Sequence, residues 1–143
     1  MYAQRQAGSG RFCADLREAF AARLTAASRL ADLGCGPAFD GASFATAGHR
    51  VTGIDRSAGM LAAAGRVLPG SLVQADIRRL PVRSGSLDGI WCCAALLHVP
   101  EDRWFFYRRA GVLRDQLHAV GLQVLTATEE LASRHWVKIL AAA

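Results

Sequence analysis

Between Arg11 and Leu24 the apolar residues Phe12, Leu16, Phe20 and Leu24 recur every fourth position, a spacing that aligns them along one face of a helix. The period then changes. Arg29-Leu30-Ala31-Asp32-Leu33 is a short apolar run that stops at Gly34-Cys35-Gly36-Pro37, so a strand running into a glycine loop is predicted. Asp40 to Ala47 is mostly small and helix-compatible, and Gly48 stands where a C-cap belongs. Arg50 to Asp55 reads as a second strand. Ser57 is placed to cap a helix from Ala58 to about Val67, ended by Pro69-Gly70. Ser71 to Gln74 predicts a short third strand, and Leu87 to Ala94 a buried fourth.

Strands alternating with helices imply an α/β fold, a doubly wound, mostly parallel sheet with helices on both faces. After Pro100 the pattern differs. Ala110, Leu113, Leu117 and Val120 share one helical face, and Gly121 is a stop signal. Leu122 to Thr128 and Trp136 to Ala141 then read as an antiparallel hairpin at the sheet edge. With no internal repeat or linker, residues 1–143 are expected to form a single domain.

Composition narrows the function classes. At 52% hydrophobic and 20% charged residues the chain is too apolar for a disordered segment. Its longest apolar run, Ile90 to Leu97, falls well short of the roughly 20 residues that span a membrane. The N-terminus leads into no signal-peptide core, so a cytoplasmic protein without membrane attachment is expected. Cys13, Cys35, Cys92 and Cys93 include no CxxC pair and no histidine at ligand spacing, which predicts reduced thiols and no metal site. All but one of the 17 basic residues are arginine, and they are scattered. The net charge of +5 therefore reads as a solvated face, not as the dense basic stripe of a nucleic-acid reader.

Three acidic residues follow the predicted strands in order. Asp32 stands two positions before Gly34, in a motif whose paired glycines, Gly34 and Gly36, let the backbone approach a ligand closely. Asp55 ends the second strand, where a carboxylate can accept both hydroxyls of a ribose; capping the next helix is its plainer role, which Ser57 could fill instead. Asp76, after the third strand, could accept the exocyclic amine of an adenine, although an Asp after a strand is common. The order and spacing of the three give each its weight.

From Leu30 to Pro100 the sequence resembles the cofactor half of class I S-adenosylmethionine-dependent methyltransferases. The likeness is strongest to a small-molecule group whose fourth strand ends in a segment similar to Ala94-Ala95-Leu96-Leu97-His98-Val99-Pro100. Leu80-Pro81 and Ser86-Leu87-Asp88 match that group's lead-in to the fourth strand. The resemblance implies S-adenosylmethionine as cofactor and methyl transfer to a small-molecule acceptor. It also implies that Asp32, Gly34 and Gly36 line the methionine part, that Asp55 binds the ribose, and that Asp76 with the backbone of Ile77 holds the adenine. Arg56 and Met60 would flank the ribose and adenine, and Cys92 would pass beside the cofactor.

The chain departs from that family after Pro100, where Glu101-Asp102-Arg103-Trp104 follow at once and about one helix-strand unit is missing. A competing alignment takes Arg108 to Arg114 as a degenerate form of the missing turn. In either case the edge beside the fourth strand is exposed or pairs with a second chain, so a homodimer is one expectation. His98 is the candidate general base, and Tyr2 with Trp104 to Tyr107 a candidate lid or core. A nicotinamide oxidoreductase would want glycine where Phe39 stands. The reading outside enzymes is a degenerate or truncated relative that binds cofactor or a partner chain without turnover.

Overall fold

The computed structural model describes residues 13–68, 70–93, 95, 115, 118, 123–131 and 135–142. The chain divides into two compact units, residues 1–98 and residues 99–143.

The first unit is built on strands β1 (Arg29–Leu33), β2 (Arg50–Asp55), β3 (Leu72–Gln74) and β4 (Gly89–Trp91). Their spatial order is β3-β2-β1-β4, and every pairing is parallel. A strand inside a parallel sheet is covered on both faces, which is why β1 is buried from Leu30 through Leu33. Side chains alternate across the pleat and so feed two separate cores. Leu30 and Val51 join Phe44, Ala64, Leu68 and Trp91 in one cluster, while Ala31, Leu33 and Ile54 meet Val73, Ile77, Leu80 and Leu87 in the other.

Helices α1 (Ala14–Ala21), α2 (Phe39–Thr46) and α3 (Ala58–Ala64) connect or precede these strands. All three pack into the first cluster, through Leu16 and Phe20, Phe44, and Ala64 respectively. At its centre Phe20, Phe44 and Trp91 form a triangle with ring centroids 5.4 to 5.5 Å apart and tilted or edge-on planes, the arrangement aromatic quadrupoles favour. Gly89 is the gap that admits this packing: a Cβ there would come within 2.9 Å of Phe20 Cζ and 3.0 Å of Leu30 Cδ2.

Strands one and two begin and end as the sequence predicts. The predicted α3 shortens, because after Ala64 the chain tightens: Val67 and Leu68 both donate backbone N–H bonds to the Ala64 carbonyl. The fourth strand also starts later than Leu87. Asp88 is held by Arg29, through its backbone N–H to the Arg29 carbonyl (2.8 Å) and a bidentate side-chain pair, and ladder pairing begins at Gly89.

In the second unit β5 (Gln123–Leu131) and β6 (His135–Ala142) pair antiparallel, with an irregularity between Val124 and Thr126. The antiparallel pairing is the predicted one, but among the described residues the two strands form a sheet of their own and pair with no strand of the four-stranded sheet. Asp115 and His118 have helical backbone; the rest of the helix expected around Ala110 to Val120 lies outside the described residues. His98, Tyr2 and Trp104 to Tyr107 also lie outside them.

Phe44 is 2% exposed and touches both other rings, so Phe44→Ala leaves a cavity that the triangle cannot close. It should cost about 3–5 kcal/mol in a urea titration, read as a lower midpoint at unchanged slope.

Candidate functional site

With the order β3-β2-β1-β4, successive connections run from β1 towards β3 on one side while β4 lies on the other. Order therefore reverses between β1 and β4, and the carboxyl ends of parallel strands open a crevice at such a reversal. Into it rises the loop between Leu33 and Phe39. Its backbone takes left-handed φ at alternate residues: Gly34 at 64°, Gly36 at 52° and Ala38 at 59°. The two glycines adopt this freely, whereas Ala38 carries a steric cost of roughly 1–2 kcal/mol.

The loop is held by groups from β2. Gly34 and Cys35 donate their N–H bonds to the Ile54 carbonyl at 2.7 and 3.1 Å, and Gly36 donates to Asp55 Oδ2 at 2.9 Å. The other carboxylate oxygen of Asp55 accepts the Ser57 N–H at 2.8 Å. Ser57 itself caps α3, its hydroxyl accepting the Met60 N–H. Asp55 thus joins the glycine loop to the entry of α3, and the cap that its plainer reading assigned to it belongs to Ser57.

The missing side chain at Gly34 serves the protein's own chain. A Cβ there would lie 2.2 Å from the Cβ of Ala95, so the glycine lets the segment after β4 close over the loop. The absent side chain at Gly34 is therefore required by the chain's own packing, whatever its backbone meets on the crevice side.

Beneath the loop Asp32 is 4% exposed and accepts one bond, from the Gly41 N–H at 3.1 Å. Burial pushes its carboxyl up to about 7, and the nearby charge of Asp40 adds to the rise. Burial likewise raises the Cys35 thiol to about 12, beside Asp32 and Asp55, so it is protonated at neutral pH and is no nucleophile.

Asp40 was not singled out in the sequence. Its Oδ1 accepts from Arg17 Nη1 at 2.6 Å and its Oδ2 from the Trp91 indole N–H at 3.0 Å, joining α1, α2 and β4 at a single carboxylate. In sequence it looks like an ordinary acid in a helix first turn, which the helix dipole favours. No local signal marks its distant partners.

The remaining predicted residues divide. Asp76 follows β3 and pairs with the Arg78 guanidinium, which holds its carboxyl well below the usual range. Ile77 packs its side chain against the Ala31–Ile54 cluster, leaving its backbone for any contact at the crevice. Arg56 is exposed, and its carbonyl accepts from Gln74 Nε2 at 3.1 Å. Met60 lies half-buried on α3, and Cys92 is exposed directly after β4. Among the predicted residues a direct hydrogen bond joins Gly36 to Asp55, whereas Asp32 is a layer deeper and Asp76 is engaged locally. Phe39, at the start of α2, is 46% exposed and so fills none of the close packing that a dinucleotide fingerprint asks of that position.

A family model described as a methyltransferase domain matches residues 31–116. A malonyl-[acyl-carrier protein] O-methyltransferase of Enterobacter lignolyticus (strain SCF1) is 35% identical over 105 residues, which cover 67% of this chain. The match spans only 42% of that relative's length. In fold, the chain is similar to the magnesium protoporphyrin IX methyltransferase of Synechocystis PCC 6803, solved with bound SAM: TM-score 0.74, 18% identity, covering 95% of this chain and 79% of that one. A TehB-like SAM-dependent methyltransferase from Corynebacterium glutamicum superposes with TM-score 0.66 at 18% identity, over 88% and 86% of the two chains.

Two measurements probe the loop. Because the folded state keeps the Asp32 proton up to about pH 7 while the unfolded chain releases it near its ordinary value, stability should fall as pH rises from about 4 to 7. Asp32→Asn should flatten this fall when urea midpoints are compared at about pH 5 and about pH 8; parallel profiles for the two proteins would refute the assignment. Gly34→Ala should destabilise strongly, and adding Ala95→Gly should relieve the collision but not the left-handed strain, leaving a residual cost of about 1–2 kcal/mol in a double-mutant cycle.

Proposed function

The chain belongs to the class I S-adenosylmethionine-dependent methyltransferase family, and from that premise we propose that it moves the sulfonium methyl of S-adenosylmethionine to a small-molecule acceptor. The observation that carries this is the clasp of Gly36 by Asp55 across the ends of β1 and β2. A carboxylate offers about four acceptor positions, and Asp55 uses one on each oxygen. Two remain for the vicinal hydroxyls of a ribose.

In this reading Asp32, Gly34 and Gly36 hold the methionine part, Asp76 and the Ile77 backbone take the adenine, Arg56 and Met60 flank it, and Cys92 lies beside it. The buried Asp32 carboxyl, poised near neutrality, shifts towards its ionised form when a cationic group is brought near, so binding there would release a proton to solvent. The sulfonium supplies an already reactive methyl. The chain's contribution is to align the acceptor and exclude water, and positioning of that kind needs no metal. The relative at 35% identity is named for methyl transfer to malonyl-[acyl-carrier protein], and the acceptor of this chain is proposed only as a class.

The proposal takes residues 1–143 as one such domain, acting in the cytoplasm. Among the described residues no helix is long and apolar enough to cross a membrane. A second reading, cofactor or partner binding without turnover, rests on β4: among the described residues its outer edge pairs with no strand, and Ile90 is 50% exposed there. An open edge of this kind suits a second copy of the chain.

Calorimetric titration with S-adenosylmethionine tests the proposal, with NAD as control ligand. Micromolar binding, weakened roughly ten- to a hundredfold in Asp55→Ala, is expected, as losing bonds to a charged acceptor predicts. Circular dichroism must show that the variant is folded, because Asp55 also secures Gly36. A folded wild-type chain that binds neither ligand would sink the proposal; binding without S-adenosylhomocysteine release across a panel of acceptors would favour the second reading.

A further inference from the structure

Two thiols outside the proposed cofactor contacts meet where α1 approaches the end of β4. Cys13, the residue before α1, is 6% exposed; Cys93, two residues past β4, is half-buried. Their sulfurs lie 2.6 Å apart although 80 positions separate them in sequence. That is closer than unbonded sulfurs ordinarily pack and longer than the roughly 2.05 Å of a disulfide. The approach is fixed from both sides by contacts that do not involve sulfur. On the α1 side, Arg17 pairs with Asp40 and Phe20 stacks in the aromatic triangle. On the β4 side, the Trp91 indole bonds the same Asp40, and Cys93 packs against the same core cluster that contains Cys13. The framework therefore presents two thiols already in register for a bond.

We propose that Cys13 and Cys93 are a redox modification site, joined reversibly by exchange with a small oxidised thiol of the glutathione disulfide type. The hydrogen bond with Cys13 and burial push the Cys93 thiol up, so exchange runs slowly through its minor thiolate form, which attacks one sulfur of the reagent, breaks its S–S bond and expels one thiolate. The Cys13 thiolate then attacks the Cys93 sulfur and expels the second. One protein disulfide forms, two electrons pass to the reagent, and the protons of the two protein thiols end on the two expelled thiols. Exchange by this route is reversible, so a reduced thiol in excess reopens the bond. The bond would staple α1 to the segment that carries Cys92 and Ala95, and Ala95 is the residue that closes on Gly34. Oxidation thereby stiffens one wall of the glycine loop. The inference stands on geometry alone and holds whether or not the chain transfers methyl groups.

Peptide mapping of the full chain tests it. The folded protein is incubated with oxidised glutathione, its remaining thiols are alkylated, and it is digested with trypsin. The expected product joins the peptide Phe12–Arg17 to the peptide Ser84–Arg103, with fragment ions placing the bond at Cys93, and dithiothreitol separates the two. Cys92→Ser should retain the link and Cys93→Ser should abolish it. Closing so long a loop should also raise the unfolding midpoint of the oxidised chain by about 5 °C or more, a gain absent from Cys93→Ser. Full alkylation of Cys13 and Cys93 after oxidant, a Cys92–Cys93 bond, or a persistent glutathione adduct as sole product would each overturn the proposal.

Discussion

The crevice depends on how the chain leaves β1. Between Leu33 and Phe39 it must reverse direction tightly enough for α2 to return over the sheet, and it does so through left-handed residues at alternate positions. Such a path uses up the local backbone pairing that a helix or strand would supply, so its N–H groups need partners from elsewhere. Neighbouring β2 provides them, through the Ile54 carbonyl and the Asp55 carboxylate. Parallel pairing of β1 with β2 is therefore a condition for the loop as well as for the sheet. The residue best placed to meet a ribose is also the residue that shapes the loop beside it.

Three carboxylates surround this turn, and their different fates follow from their surroundings. Asp32 is buried with one backbone donor, and desolvation outweighs that bond, so its proton is retained towards neutrality. Asp55 has two backbone donors and is partly open to solvent. Asp40 is matched by a guanidinium and an indole. A buried acid between two other acids is an unfavourable arrangement for folding alone, and sites that handle charged ligands commonly carry such strain. The raised Asp32 is thus a reason to look for a cationic ligand at this end of the sheet, reached independently of the family resemblance.

How much of this was legible in the sequence varies by residue. Strands one and two could be read to the residue because each is a short segment with buried apolar residues bounded by turn residues. The turn at Gly34 and Gly36 and the place of Asp55 at the end of β2 were legible because they are local or lie at a fixed offset along a βαβ unit. Ala38 was not, since alanine gives no sign of a left-handed conformation; its spacing of two from Gly36, itself two from Gly34, was the available signal. Asp40 was invisible for a different reason. Its partners Arg17 and Trp91 come from distant parts of the chain, and such a meeting is decided by packing, which single-sequence patterns do not encode. Asp76 was read for its position after β3, yet Arg78, two residues on, has claimed the side chain.

The Asp40 cluster explains why α1, a helix of eight residues with no buried side chain, keeps its place. A helix this short is marginal by itself, and its stability must come from packing. Phe20 supplies an aromatic contact and Arg17 an ion pair at a partly shielded carboxylate, which is worth more than the same pair in open solvent. Because Asp40 also holds Trp91, any change that draws α1 away unbalances the β4 side of the crevice at the same time. Asp40 would then lose its cation while its charge still faced Asp32, and the Asp32 carboxyl would be pushed further towards its protonated form. The position of α1 and the charge beneath the glycine loop are thus linked through a single side chain, and a disturbance at either reaches the other.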